Sequence, residues 1–351
     1  MREKFDDLAA QSFDDTPVLS VYLDMRPQAS QGSPGQRSAE TLLADRLGEV
    51  RATMPTRTAA RDSFDADAAR VQDYIRTRFN VSKAGFACFA CDAHGLFQTL
   101  ETEQPFQNQV AFRPAADLYQ LAALMDAYEA AVIAVADTNT ARLFVQRYGR
   151  FKEVGGPDDT NKKRYTKTAV GGWSQKRYQR NIDNNRAEFA SESAHAIEQL
   201  VASEGATRLI LAGNEVALPL LRDALSPEVQ ALLYDEPVRI DIHASEHDVA
   251  GEVWPILAEI EAEQSQSVAD RLVSQVRGAN LGVAGVERTR AALRRGQVDT
   301  LVIDSQAALD EEVRSELVGM AAASSAAIEV VDGHAALRAL GGVGGLLRYQ
   351  F

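Results

Sequence analysis

Between Ala130 and Tyr148 the apolar residues fall into two short runs, "AAVIAVAD" and "TARLFVQRY", parted by a turn around Thr138 and Asn139. Two such runs with a short polar break read as a β-hairpin. The next 26 residues, "GRFKEVGGPDDTNKKRYTKTAVGGWS", have little apolar periodicity, and the stretch reads as one long loop, a length that compact domains keep for function. Beyond Gln175 the period becomes helical, with Tyr178, Ile182, Phe189, Ile197 and Leu200 close to one face. The helix ends at Gly205, and "ATRLILAG" begins a buried strand. A helix from about Glu215 and a strand "PVRIDI" complete the unit. Strands of this kind bury their apolar residues only by packing against such helices, so the segment is an α/β layer unit.

The flanking segments repeat that logic. "TPVLSVYLDM" reads as a strand, "RPQASQGSPGQRS" as a polar loop, and "AETLLADRLGEVRATM" and "AARVQDYIRTRF" as amphipathic helices. After Ser245 a long helix precedes "GVERTRAALRRGQVDTLVID", "RSELVGMAAASSAAIEVVDG" and "GVGGLLRYQF", again helix and strand with glycines at the breaks. A chain of 351 residues is too long for one ordinary core. The expectation is α/β (α+β): three consecutive mixed domains over 1–115, 116–244 and 245–351. No uninterrupted apolar run approaches the roughly 18 residues that span a bilayer, and the opening "MREKFDDLAAQSFDDTP" is acidic and amphipathic without an apolar signal core. A cytoplasmic location with no membrane partner is expected.

Cys88 and Cys91 form a C-x-x-C inside "GFACFACDAHGLF". The alternation and the "DAHG" turn read as a hairpin, which sends residues three apart to opposite faces, one cysteine to the core and the other away from it. No second pair accompanies them, so neither a zinc site nor a disulfide framework is expected. "HASEH", His243 to His247, matches H-x-x-E-H, yet the two histidines would need successive turns of one helix; Ser245 or Asp248 reads instead as a cap of the next helix. His94 lies in a turn, and His195 and His334 show no partners in the sequence. No metal or cofactor is called for.

Charge is distributed unevenly. The chain carries −13 in total, but residues 142–186 hold 12 Lys/Arg against four Asp/Glu, +8 locally and −21 in the remainder. A solvated face interleaves both signs, whereas a basic loop on an acidic body suits a dense polyanion. Gly171 and Gly172 allow backbone amides to approach a ligand closely, or form a hinge before the helix. The phosphate-loop and dinucleotide fingerprints are both missing from the segment.

The stretch "GGWSQKRYQRNIDNNRAEFA" resembles the archaeal and eukaryotic class I peptide release factors, whose loop carries Gly-Gly-Gln before a helix of the form S-x-x-R-[FY]-x-R. The matching positions are Gly171, Gly172, Ser174, Arg177, Tyr178 and Arg180. The strand pair before the loop, "ATRLILAG", "ERTRAALRRGQVDTLVID" and "GVGGLLRY" also look like that family and its ribosome-rescue relative Pelota, from about 117 to 351. The first domain is similar only to bacterial members. Trp173 stands where the family has glutamine. Gly172 to Gln175 gives G-x-x-Q, the spacing of Vms-type peptidyl-tRNA hydrolases, while bacterial relatives such as Balon occupy the ribosomal A site without Gly-Gly-Gln.

The resemblance implies a ribosome-bound factor contacting large-subunit RNA and peptidyl-tRNA. Gln175 would orient water, with Gly171 and Gly172 in the catalytic loop. Lys162, Lys163, Arg164, Lys167, Trp173, Lys176, Arg177 and Arg180 would bind RNA. Trp173 either stacks on a base or packs back onto its own loop. Relatives dock a translational GTPase on the third domain, a partner the residues here leave open. The codon-reading runs of the first domain, Asn-Ile-Lys-Ser and Tyr-x-Cys-x-x-x-Phe, are absent, which argues against codon-specific termination. Peptidyl-tRNA hydrolysis in rescue or quality control leads; A-site occupancy without chemistry, and an RNA- or nucleotide-binding α/β scaffold unrelated to ribosomes, are the alternatives.

Overall fold

A computed structural model describes residues 1–11, 16–27, 35–157 and 173–349, with the side chains of 35, 36 and 173–183 outside that description. Among the described residues helices and strands alternate as a mixed α/β chain with three four-stranded sheets, and the chain divides into two compact units, 1–127 with 259–351, and 128–258. Among the described residues no helix is long and apolar enough to cross a membrane.

Residues 1–127 run α1 (Arg2–Ala9), β1 (Val18–Asp24), α2 (Gly35–Thr53), α3 (Ala59–Thr77), β2 (Gly85–Cys91), β3 (Leu96–Thr102), β4 (Gln109–Arg113) and α4 (Tyr119–Ala127). The strands form an antiparallel sheet of order β3-β2-β1-β4. Alternate residues of β1 and β2, among them Val21, Leu23, Phe86 and Cys88, pack with Leu43, Phe64, Val71 and Ile75 of α2 and α3. "DAHG" closes the β2–β3 hairpin as expected, with Gly95 at φ 67°, a left-handed turn that favours glycine.

Cys91 departs from expectation. The two cysteines do alternate, but both are fully buried, because the second face of the sheet is covered as well. Tyr22 sits edge-on to Phe89 and Phe106 there, with ring centroids 5.7 and 5.1 Å apart. The Asp117 amide donates to Ser20 Oγ at 3.0 Å from the same side. Burial pushes both thiols up, which leaves them poor nucleophiles.

Residues 128–258 run β5 (Ala131–Ala136), β6 (Ala141–Arg147), β7 (Arg150–Gly155), α5 (Trp173–Glu204), β8 (Arg208–Gly213), α6 (Ala217–Ala224), α7 (Pro227–Gln230) and the start of α8 (Glu246–Arg277). The sheet order is β7-β6-β5-β8; β5 and β6 form the expected hairpin, and β8 returns parallel to β5. On one face Phe189, Ala194, Ile197 and Val201 of α5 pack against Val132, Ala134 and Leu209. On the other, Val249, Val253 and Leu257 of α8 pack against Ile133, Val135 and Phe144.

Two expectations change here. The long loop does not begin at Gly149, because Arg150–Gly155 forms the edge strand β7. "PVRIDI" forms no strand: Val238 and Ile240 are buried, but the segment adds only an isolated bridge, Val238 to Ala212.

Residues 259–351 complete the first unit with the rest of α8, then β9 (Gly282–Ala284), α9 (Val286–Arg294), β10 (Val298–Asp304), α10 (Glu311–Ala323), β11 (Ala327–Val331), α11 (Ala335–Ala339) and β12 (Val343–Leu347). Their sheet has the order β11-β10-β12-β9, with β10 and β11 parallel and β12 antiparallel to both of its neighbours. His334 is not without partners: its Nδ1 accepts from the Leu337 amide at 3.0 Å, and its Nε2 lies 3.1 Å from Asp270. It caps α11. His195 lies 2.9 Å from the Gln199 amide nitrogen on α5.

Candidate functional site

In the sequence the basic segment lies between the end of β7 and the start of α5. Its point of departure is tightly built. Ala141 donates its amide to the Pro157 carbonyl at 3.0 Å, so the chain crosses back over the start of β6. A Cβ on Gly156 would stand 2.0 Å from the Ala141 carbonyl oxygen, a distance no side chain tolerates, so only glycine passes there.

Arg142 holds this exit. Its guanidinium bonds Glu153 on β7 in bidentate fashion, at 2.8 Å to Oε1 and 2.6 Å to Oε2. Nη1 donates to the carbonyls of Ile242 and Ala244 at 2.8 and 2.6 Å. The Glu153 amide in turn donates to Glu246 Oε2 at 2.8 Å, tying β7 to the first turn of α8. The paired guanidinium holds the Glu153 carboxyl below its ordinary range. Lysine supplies the charge but not the planar fork, so Arg142→Lys is expected to destabilise this unit by about 1–2 kcal/mol. Both tryptophans, Trp173 and Trp254, lie within 128–258, so urea unfolding followed by their fluorescence reads this unit. An unchanged midpoint would mean that any cation serves.

The point of return is α5, 32 residues long and therefore about 48 Å from end to end. Among its described side chains burial begins at Phe189, followed by Ala190, Ala194, Ile197 and Val201. Residues 184–188 are exposed or half-buried. The helix begins at Trp173, three residues earlier than expected, so Gln175 is its third residue. The first four amides of an α-helix lack intrahelical acceptors, and here they belong to Trp173 through Lys176.

Gly171, Gly172, Lys162, Lys163, Arg164 and Lys167 lie outside the described residues. Trp173, Gln175, Lys176, Arg177 and Arg180 share the α5 backbone, with side chains outside the description. Some of the local positive charge has a structural use. Arg142 is consumed by Glu153, and Arg147 pairs with Glu204 at 3.3 Å, whereas Arg150 and Lys152 are exposed on β7. The Arg142 clamp was not anticipated from the sequence. Its signal was available: Arg142 and Glu153 are opposite charges on strands joined by a two-residue turn.

The remaining candidates find structural roles. Ser245 Oγ accepts from the Asp248 amide at 3.2 Å while Asp248 Oδ2 accepts from Ser245 Oγ at 2.7 Å, a reciprocal cap on α8. His243 precedes that helix and His247 lies within it, so H-x-x-E-H does not present two histidines from successive turns. Asp126, Glu261 and Glu329 bring carboxylate oxygens within 4.8 Å of one another. Backbone and serine donors engage this group: the Val330 amide donates to Asp126, and Ser265 Oγ contacts both Glu261 and Glu329.

Residues 117–256 match the family described as bacterial archaeo-eukaryotic release factor family 10. No curated protein matches the chain. Among solved structures, the archaeal translation termination factor aRF1 is 18% identical over 99% of this chain and 96% of its own, with a TM-score of 0.30. Ribosome-bound archaeal Pelota is 21% identical over 73% of each chain, with a TM-score of 0.47. Archaeoglobus fulgidus Pelota is 18% identical over 78% of this chain and 81% of its own, with a TM-score of 0.35. The stretch that matches the family encloses β7, the basic segment and α5, and over residues 117–256 the chain is similar to the bacterial archaeo-eukaryotic release factors.

Proposed function

We propose that the chain binds the ribosome and releases peptide from tRNA on stalled ribosomes or free large subunits. One observation carries this reading: the family match falls on the segment that holds the positive excess between β7 and α5. Release of peptide is hydrolysis of an ester. It needs a water held against the carbonyl and donors aimed at the charge that develops on oxygen, and no titratable side chain is required if the ribosome supplies the rest. Gln175 places the water, the unpaired amides of the first α5 turn face the developing charge, and Gly171 and Gly172 let the backbone approach. Lys162, Lys163, Arg164, Lys167, Lys176, Arg177 and Arg180 contact RNA phosphates, with Trp173 beside them.

Occupancy of the A site without hydrolysis is the second reading. It is favoured by Trp173 standing where the resemblance puts glutamine, and by Gln175 lying inside a regular helical turn. Wild-type protein incubated with ribosomes carrying labelled peptidyl-tRNA separates the two: released peptide supports hydrolysis, and co-sedimentation without release supports occupancy. A protein that does not co-sediment at all is neither. Charge reversal of Lys162, Lys163 and Arg164 to glutamate is expected to weaken co-sedimentation at least tenfold, by roughly the loss of three phosphate contacts, and to flatten its salt dependence. Binding that is unchanged across salt concentrations would exclude these residues from the interface.

A further inference from the structure

A second charge segregation lies in the other unit. Residues 271–295 contain six arginines and one acidic residue, Glu287, so that with the +8 of residues 142–186 the rest of the chain carries −26. The arginines concentrate on α9. That helix buries Thr289, Ala292 and Leu293 and, together with its C-cap residue Arg295, exposes Arg288, Ala291 and Arg294 on the opposite face.

Arg290 of α9 answers two neighbouring carboxylates, Glu316 at 2.8 Å and Glu287. The outward arginines of α9 do not. Arg294 reaches Glu316 only at 4.0 Å, and the side chains of Arg288 and Arg295 have no hydrogen-bond or ion-pair partner among the described residues. Glu287, the acidic residue on that face, is held by Arg290. Arg288 and Arg295 are seven residues apart, about two turns and roughly 10 Å along one side of the helix. Between them the surface offers Ala291 and Arg294. A protein partner needs a buried apolar or aromatic centre, and this face has none. It offers spaced guanidinium forks, which suit phosphate oxygens.

We propose that the face of α9 bearing Arg288, Arg294 and Arg295 is a second docking surface for the phosphate backbone of RNA. The proposal rests on the reading that this chain works on RNA and adds a contact on a different unit from the basic segment. Two sites on one chain raise affinity for a single large RNA beyond what either supplies.

The test uses the full chain and two probes, an RNA duplex of about 20 base pairs followed by fluorescence anisotropy across salt concentrations, and purified ribosomes followed by co-sedimentation. For Arg288→Gln/Arg295→Gln the slope of log affinity against log salt is expected to fall by about 1 per arginine, with duplex binding weakened about tenfold or more near physiological salt. Arg288→Lys/Arg295→Lys should retain most of the slope. Thermal unfolding of each variant separates a binding loss from a folding loss. A double glutamine variant that folds and binds the duplex with wild-type slope overturns the proposal, as does weakened binding with an unchanged slope. Duplex binding that depends on these arginines without ribosome co-sedimentation keeps the proposal and removes the ribosomal reading. Ribosome co-sedimentation, with both it and duplex binding indifferent to these arginines, does the reverse. If the substitutions change only the mass of the protein in solution, the face is a contact between copies of this chain and the RNA proposal fails.

Discussion

Gln175→Ala should lower the rate of peptide release about 100-fold, the scale of removing one group that positions the attacking water or a stabilising donor, while leaving co-sedimentation with ribosomes within about twofold of wild type. The separation follows from where the residue stands. Gln175 is uncharged and is flanked by the cations that would supply binding, so its loss removes no counterion-releasing contact. As the third residue of α5 it lies in the first helical turn, where alanine is well tolerated and the backbone is unchanged. Single-turnover release and sedimentation on the same samples decide the matter. Equal release from variant and wild type would remove Gln175 from the chemistry and shift attention to the backbone amides of the same turn. Loss of both activities would make it a binding residue.

Asp67→Asn should make the first unit more stable at neutral pH, with an advantage that fades in acid. Asp67 is 1% exposed on α3, and its Oδ1 has no hydrogen-bond partner. Burial pushes its pKa up to about 6, against the smaller opposing effects of the Asp92 amide and the Ser63 hydroxyl. The folded state therefore holds a proton between about pH 4 and 6 that the unfolded chain has released, so stability falls as pH rises through that window and then levels off. Asparagine cannot titrate. Between pH 4 and 7.5 the stability difference between variant and wild type should change by about 2–3 kcal/mol in the variant's favour. How well the amide fits contributes equally at both pH values and cancels. Both tryptophans lie in the other unit, so hydrogen exchange of the β2 amides is the proper readout. A difference independent of pH would mean that Asp67 is ionised in the native state despite its burial.

The parts of the fold that were legible are those in which apolar periodicity reports burial directly. β5, β6 and β8 read as strands because both faces of their sheet are covered, by α5 on one side and α8 on the other. β7 escaped because its alternation is not apolar: the residues it turns inward are Phe151 and Glu153, and Glu153 is satisfied by Arg142. "PVRIDI" misled for the converse reason. Val238 and Ile240 alternate because they are buried beneath α8, and burial alone does not make a ladder. Cys91 looked outward only so long as the sheet was imagined with one wet face. In the candidate site, composition exposed the basic segment, but no local rule singled out Gly171, Gly172 or Gln175; those came from resemblance. Nor could charge counting separate Arg142 and Arg147, which hold the sheet together, from cations free to meet a ligand.

α5 is one uninterrupted helix from Trp173 to Glu204, packed into its unit from Phe189 onward. Such a helix transmits phase as well as distance. Each residue added or removed between Gln175 and Phe189 would rotate the glutamine by about 100° about the helix axis and shift it by about 1.5 Å. Substitutions in that interval leave its bearing intact, whereas a single insertion turns it away from whatever it faced. The interval thus works as a fixed count, sensitive to its length before it is sensitive to its letters.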